Sequence, residues 1–272
     1  MINYINSTRS DGPMIGNKKF YSECMTTDEI KQNLLERRIK LGEKLGFDGT
    51  KILVPYQNVA KYKEGHYEDI TDIISSVVYE RPEYDLWNLD IPCDVMLMRS
   101  ELQGVVLAYP VADCPVVIAN TGDMVALAHC GAREIDRLMP FHIIDAIEKE
   151  AKVNEDDLEV YIGPCASSQT YIYETYPEWA TRKNTMWNHC IEEKEEGFHI
   201  NLRKAVLMQL RARGIKFVEM NNSDTISNPL YYSNYAANHG DKEKDGRFLT
   251  GVCFKKEKVK VKEKELVKSF TR

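Results

Sequence analysis

The sequence lacks long hydrophobic runs. Across 272 residues, 43% of them hydrophobic, no apolar stretch approaches the ~20 residues that a membrane-crossing helix needs. Its start, MINYINSTRSDGP, has no basic segment leading into an apolar one, so a secretory signal is not expected and a cytoplasmic location is. There is no CxxC pair among seven cysteines, and an odd count excludes a fully paired disulfide framework; reduced thiols fit better. Six histidines contain no HxH pair, which argues against a multicopper cluster, a centre that spends many imidazoles on its metals. Neither GxGxxG nor GxxxxGK[ST] occurs, so the dinucleotide and P-loop phosphate cradles are excluded as well.

Positive charge is scarce over most of the chain. The net charge is −6, yet the segment KKEKVKVKEKELVKSFTR alone holds eight Lys/Arg against three Glu, leaving the other 254 residues at −11. An acidic body is a poor partner for a nucleic-acid backbone. The absence of repeats and low-complexity linkers gives one domain over residues 1–254, followed by a Lys-rich extension over 255–272. That extension reads as solvated, although Val259 and Val261 alternating with lysines would also suit an added edge strand.

What is present sorts into strands and helices. Thr27 is placed to cap a helix in which Ile30, Leu34, Leu41 and Leu45 share a face and Gly46 ends the run. Three short valine-rich runs follow, GVVLAYP, PVVIAN and MVALAH, separated by DCP and NTGD; the second turn predicts a hairpin. A helix is expected from about Glu134 towards Lys152, a strand at EVYIGP, a helix capped by Asn201 and ended by Gly214, then strands at KFVEM and GRFLTGVCF. Strands paired as hairpins with helices between point to a mixed sheet flanked by helices.

Two strand ends hold the densest chemistry. Ala112-Asp113-Cys114-Pro115 follows the first run, and Ala128-His129-Cys130-Gly131-Ala132-Arg133 follows the third. If the hairpin register brings Cys114 to His129, thiol and imidazole form either a nucleophile–base pair or two-thirds of a zinc site; otherwise they are a buried Cys and a structural His.

Six segments resemble the motifs of one family, in the same order. STRSDG (Ser7 to Gly12) resembles TTRxGG, NLLERRIKLGEKLGF resembles ENRRRL…LGL, and VADCPVVIA resembles TADC-P-V. LAHCGARE resembles AHAGWRG, YIGPCASSQTYIY resembles IGP-x-I-x-x-x-CYEV, and DGRFLTGV resembles a TGR-hydrophobic ending. The chain is thereby similar, over roughly residues 3 to 254, to the YfiH-like family, historically called multicopper polyphenol oxidase or laccase-domain proteins. Members are described as purine nucleoside phosphorylase/adenosine deaminase enzymes, and some as peptidoglycan editing factors. The family's centre uses a His from QVHG, the Cys of TADC and the His of AHAGWRG. The last two match Cys114 and His129, but Val59 stands where the first His should be, in Pro55-Tyr56-Gln57-Asn58-Val59-Ala60. Ala132 replaces the Trp, Ile172 stands at the Glu of CYEV, Asn201 at an Asp, and Tyr235 near an Arg, whereas Arg9, Asp94, Arg133 and Arg247 are retained.

The resemblance implies an α/β (α+β) fold, a mixed β-sheet sandwich flanked by helices, and an enzyme that acts on a purine nucleoside with phosphate, with Cys114 and His129 at its centre. Zinc is the expected cofactor, on Cys114 and His129, with His66 of KYKEGHYED as a third ligand if its loop folds back. Arg9, Arg133 and Arg247 are the candidate phosphate-binding residues, because guanidinium groups stay charged and grip phosphate through two bonds. Cys165 is a fourth thiol near the site, and Tyr231 and Tyr232 either stack on a base or pack. The other cysteines (Cys24, Cys93, Cys130, Cys190, Cys253) read as buried small hydrophobes, and His142, His189, His199 and His239 as structural or surface residues. Two other readings compete. One is an amide hydrolase editing peptidoglycan precursors, with Cys114 as nucleophile and His129 as base; the other is a non-catalytic member with a degenerate site, favoured by Val59, Ala132, Asn201 and Tyr235.

Overall fold

The valine-rich runs become strands, and their pairing sorts them into two stacked sheets. The structure is a computed structural model that describes residues 2–15, 18–21, 25–54, 67–69, 95–180 and 185–255. In chain order it contains β1 (Ile2–Asn6), α1 (Thr27–Leu45), β2 (Ile52–Leu53), β3 (Tyr67–Asp69), β4 (Val95–Arg99), β5 (Val106–Val111), β6 (Val116–Asn120) and β7 (Met124–His129). There follow α2 (Ala132–Asp136), α3 (Met139–Ala151), β8 (Glu159–Ile162), β9 (Ile172–Tyr173), α4 (Trp187–Cys190), β10 (Ile191–Lys194) and β11 (Gly197–Ile200). The last are α5 (Leu202–Ala212), β12 (Phe217–Met220), α6 (Asn234–Asn238) and β13 (Phe248–Phe254). One sheet runs β1-β13-β5-β2 and a second runs β12-β8-β6-β7-β4-β3, while β10-β11-β9 form a small third sheet. Both large sheets mix orientations: β2 pairs β5, β3 pairs β4 and β12 pairs β8 in parallel, and their other pairs are antiparallel.

Alternation along the strands decides what each face buries. Leu107, Tyr109, Phe248 and Val252 from one sheet meet Met96, Val116, Ile118 and Leu127 from the other, filling the space between them. The opposite face of the first sheet, with Val106, Ala108, Leu249 and Cys253, packs on Leu34 and Leu41 of α1. The opposite face of the second, with Leu97, Val117, Ala126 and Ala128, packs on α3 and α5. The result is a helix–sheet–sheet–helix layering, a mixed sandwich flanked by helices as expected.

Three local details differ from or sharpen the sequence reading. The cap of α1 is Thr26, not Thr27: its side chain accepts from the Glu29 N–H while Glu29 reaches back to the Thr26 N–H, and this capping box fixes the start one residue earlier. The helix expected from Glu134 to Lys152 is two helices. Pro140 cannot continue a helix from Asp136, because its ring would meet that residue's carbonyl, and the chain turns at Leu138 with φ 64°. The NTGD hairpin forms, with β6 and β7 antiparallel and Val116 opposite His129, but β5 belongs to the other sheet. The Asp113-Cys114-Pro115 link therefore carries the chain across the sandwich, and Asp113 makes the turn at φ 77°, a conformation that aspartate tolerates better than most residues. Among the described residues no helix is long and apolar enough to cross a membrane.

Candidate functional site

The register that pairs Val116 with His129 places Cys114 and His129 at the same end of the second sheet. The Cys130 N–H donates to the Pro115 carbonyl (2.9 Å), closing that end. Gly131 shows how tightly the reactive groups converge. A Cβ on it would lie 3.1 Å from Cys114 Sγ, 3.1 Å from His129 Cε1 and 2.6 Å from Glu134 Oε2. With φ −66° its backbone suits any residue, so it is space, not conformation, that reserves this position for glycine. Glu134, in the first turn of α2, completes the group with its Oε2 4.0 Å from His129 Nδ1.

Electrostatics sets the protonation of these groups. Burial pushes the Cys114 thiol well up, the carboxylates of Glu134 and Asp113 push it further, and Arg247 opposes them; the thiol is the resting form. Burial pushes His129 down, against the Glu134 carboxylate and with the Arg247 charge, so the imidazole is neutral and can accept a proton. Asp113 is buried and accepts from Thr225 Oγ1 (2.8 Å) and from the Tyr235 N–H (2.7 Å). It thereby ties the loop at Thr225 and the start of α6 to the residue before Cys114. A third bond, from the Ala166 N–H to the Asp113 carbonyl (2.9 Å), adds the loop after β8.

Beside these ties opens a cavity of about 620 Å³ with Cys114 in its wall. Its aromatic side comes from Tyr171, Tyr173 and Tyr235, which meet edge to face at 5.3 Å between Tyr171 and each of the others. Tyr235 also stacks on His239 at 4.0 Å, and its hydroxyl donates to the Ile172 carbonyl (2.6 Å).

The sequence candidates fall in different places. Cys114 and His129 come together, and Arg247 acts electrostatically on both while its Nη2 donates to Asn234 (3.3 Å). Arg9 bonds the Pro229 carbonyl (3.4 Å) and lies 3.8 Å from Glu243, and Arg133 is exposed on α2. Cys165 is fully buried, its thiol pushed up to about 11 by burial against the pull of Arg203. Cys130, Cys190 and Cys253 are buried, as small hydrophobes should be. Tyr231 and Tyr232 pack between the sheets and offer no open ring face as a base platform. His199 is buried, with Nδ1 donating to the Ser168 carbonyl (2.6 Å). His66, Val59, Cys24, Cys93, Asp94 and the extension from residue 256 lie outside the described residues.

Sequence reasoning missed Glu134, the buried anchor Asp113 and the tyrosine wall. Only Glu134 left a signal, an acidic residue five positions after His129. The cavity wall is assembled from segments around residues 113, 172, 196 and 235, which no local pattern connects.

Cys and His are the donor types zinc takes, but a catalytic zinc takes three protein ligands. Among the described residues no group of three or more His, Cys, Asp or Glu is placed to hold a metal ion. The described donor set is therefore incomplete for zinc, and no step below is routed through a metal.

The fold is a mixed α/β sandwich with a Cys–His pair at one sheet end, of which Cys114 lines a polar, aromatic cavity. The profile of the multi-copper polyphenol oxidoreductase laccase family matches residues 11–255, and the chain belongs to that family. A purine nucleoside phosphorylase of Rickettsia conorii is 27% identical over 138 residues, covering 48% of this chain and 55% of the relative; the match spans about half of that protein's length. Among solved structures, the hypothetical protein YfiH of Bacillus licheniformis matches with a TM-score of 0.70 at 17% identity, covering 93% of each chain. YlmD of Geobacillus stearothermophilus matches with a TM-score of 0.65 at 18% identity, covering 83% of this chain and 82% of its own. These structures share the fold.

Proposed function

We propose that the protein is an enzyme acting on purine nucleosides, cleaving the glycosidic bond with phosphate or removing the amine of adenosine. The observation that carries this reading is the convergence of Cys114, His129 and Glu134 on Gly131, with Cys114 in the cavity wall and within the field of Arg247. The named Rickettsia relative supports the substrate class.

In phosphorolysis a phosphate oxygen bonds to C1′ of the ribose as the bond to the base nitrogen breaks, and the departing base must be protonated. Arg247 is the cation best placed to hold the phosphate, whose own O–H proton can pass to the departing base, and the Cys114 thiol, kept protonated by burial, can donate a hydrogen bond to the departing nitrogen. In deamination water adds to C6 of the base and ammonia leaves. Neutral His129 takes the proton from that water, and Glu134 beside it stabilises the imidazolium that forms. A thiolate attack, as an amide hydrolase would use, fits less well, because burial and two carboxylates hold Cys114 as the thiol.

Steady-state kinetics with inosine and with adenosine, on metal-free and zinc-loaded protein, test the reading. Turnover in wild type is expected, and Arg247→Ala should raise the KM for phosphate about tenfold, the loss of one charge-assisted contact. No turnover of either nucleoside in either preparation refutes it.

A further inference from the structure

The two large sheets do not end together. Tyr4 of β1 stacks on Tyr161 of β8 at 4.3 Å and 9° between the rings, so β1 lies over β8. With β13 over β6 and β5 over β7, β12 extends one strand beyond β1. Among the described residues nothing in the first sheet covers it, and the outer edge of β1 pairs with no strand. Between the two edges runs a groove of about 420 Å³. Phe217 stands in it 66% exposed, while Val218, on the other face of β12, packs on the helix-side core. Register puts Phe217 and Glu219 of β12 and Glu159 of β8 on the face of Tyr161, towards the first sheet. Both carboxylates are exposed, and among the described residues neither has an ion-pair partner. Burial, then Glu159 and Glu219, push the Tyr4 phenol up to about 12, so their negative field reaches across the groove. The cations beside them are engaged. Arg211 Nη1 donates to the Ile215 and Lys216 carbonyls (2.8 Å each), and Lys216 lies 2.6 Å from Asp156.

We propose that this groove is the docking site of the chain's own segment Lys258-Val259-Lys260-Val261-Lys262, added to the free edge of β1 as a fifth strand over β12. β13 ends at Phe254, opposite Ile2. The slot beyond β1 lies two strand spacings away, about 10 Å. Lys255 to Glu257 can span it at about 3.3 Å per residue. The segment then runs parallel to β1, and its length matches the 5 residues of Ile2–Asn6. With Lys258 beside Ile2, the three lysines share the face of Ile2 and Tyr4, towards β12, and Val259 and Val261 share the α1-side face of Ile5. The lysine stems cover the Phe217 ring, and their ammonium groups meet Glu159 and Glu219. Main-chain bonds to an open edge accept any sequence. The exposed ring between two carboxylates is what selects a strand with lysine at every second position.

Hydrogen exchange of the full chain, followed by mass spectrometry over a range of protein concentrations, tests this. The amides of Lys258 to Lys262 should exchange at least about tenfold more slowly than those of the same sequence as a free peptide. Reversing the exposed carboxylates with Glu159→Lys/Glu219→Lys should remove that protection while β13 stays protected, the sign that the fold is intact. Lys258→Glu/Lys260→Glu/Lys262→Glu should do the same without altering the sandwich. Combining both sets should restore the protection. Exchange at the free-peptide rate in wild type, protection indifferent to either reversal, or no recovery in the combined variant overturns the proposal. Protection that grows with protein concentration also overturns it, because a second copy then supplies the strand.

Discussion

At the scale of single residues, the site depends on a glycine that leaves room for three reactive groups. Gly131 lets Cys114, His129 and Glu134 share a volume that one methyl group would fill. Because Glu134 and burial hold the Cys114 thiol up, alkylation by iodoacetamide at pH 8 should be about tenfold slower than that of a free thiol. Glu134→Gln, which removes the nearest negative charge, should speed it several-fold; a wild-type rate equal to that of free cysteine contradicts this electrostatic account. Cys114 and His129 were legible as candidates because both sit at the ends of valine-rich runs. Their meeting was not, since it depends on a register that only pairing fixes. Glu134 became relevant only once α2 proved to start at Ala132, turning its carboxylate back towards His129.

At the scale of elements, short loops are stapled beneath the site by carboxylates. Asp224 accepts from the Ser167 N–H (3.1 Å), Thr170 Oγ1 (2.8 Å), the Ile226 N–H (3.1 Å) and Ser227 Oγ (2.6 Å), joining the loop after β8 to the loop after β12. Burial raises its pKa, but these donors outweigh burial and hold it below the ordinary 3.8. A carboxylate depressed in the folded state adds stability above its unfolded pKa and loses it as pH falls through the folded value. Asp224→Asn should therefore lower Tm at pH 7, and the gap from wild type should close only as pH falls below about 4; a gap independent of pH contradicts the assignment. The helix pair offers a second test. Lys152 closes α3 in the left-handed region at φ 55°, where glycine carries no Cβ penalty. Lys152→Gly should stabilise by about 0.5–1 kcal/mol in urea unfolding. The NTGD hairpin and the helix ended by Gly46 could be read locally, because turn and cap residues are local signals. The break at Leu138 was missed because apolar periodicity continues across it, although Pro140 already forbade a single helix.

At the scale of the molecule, the sandwich positions the chemistry by crossing between its sheets at Asp113–Cys114. A mixed sheet flanked by helices was expected from the mixture of hairpins and helices, and the sandwich from the family resemblance. That β5 and β6, adjacent in sequence, join different sheets was not, since a short buried strand carries no mark of its neighbours. Phe248, with no exposed surface, fills the inter-sheet core beside Tyr231 at 5.0 Å between ring centroids. Phe248→Ala should cost about 3–5 kcal/mol in chemical denaturation and loosen the sheet contact on which the site rests. Family membership follows from a match over residues 11–255, while the chemistry rests on a handful of side chains within it. The most direct test follows ribose 1-phosphate and free base during incubation of the full chain with inosine or adenosine and phosphate. Both products should appear with wild type and fall about tenfold or more with Cys114→Ala, while ammonia release from adenosine, followed alongside, should fall about 10²–10⁴-fold with His129→Gln. Absence of product from wild type, or equal product from the variants, contradicts the assignment of this centre.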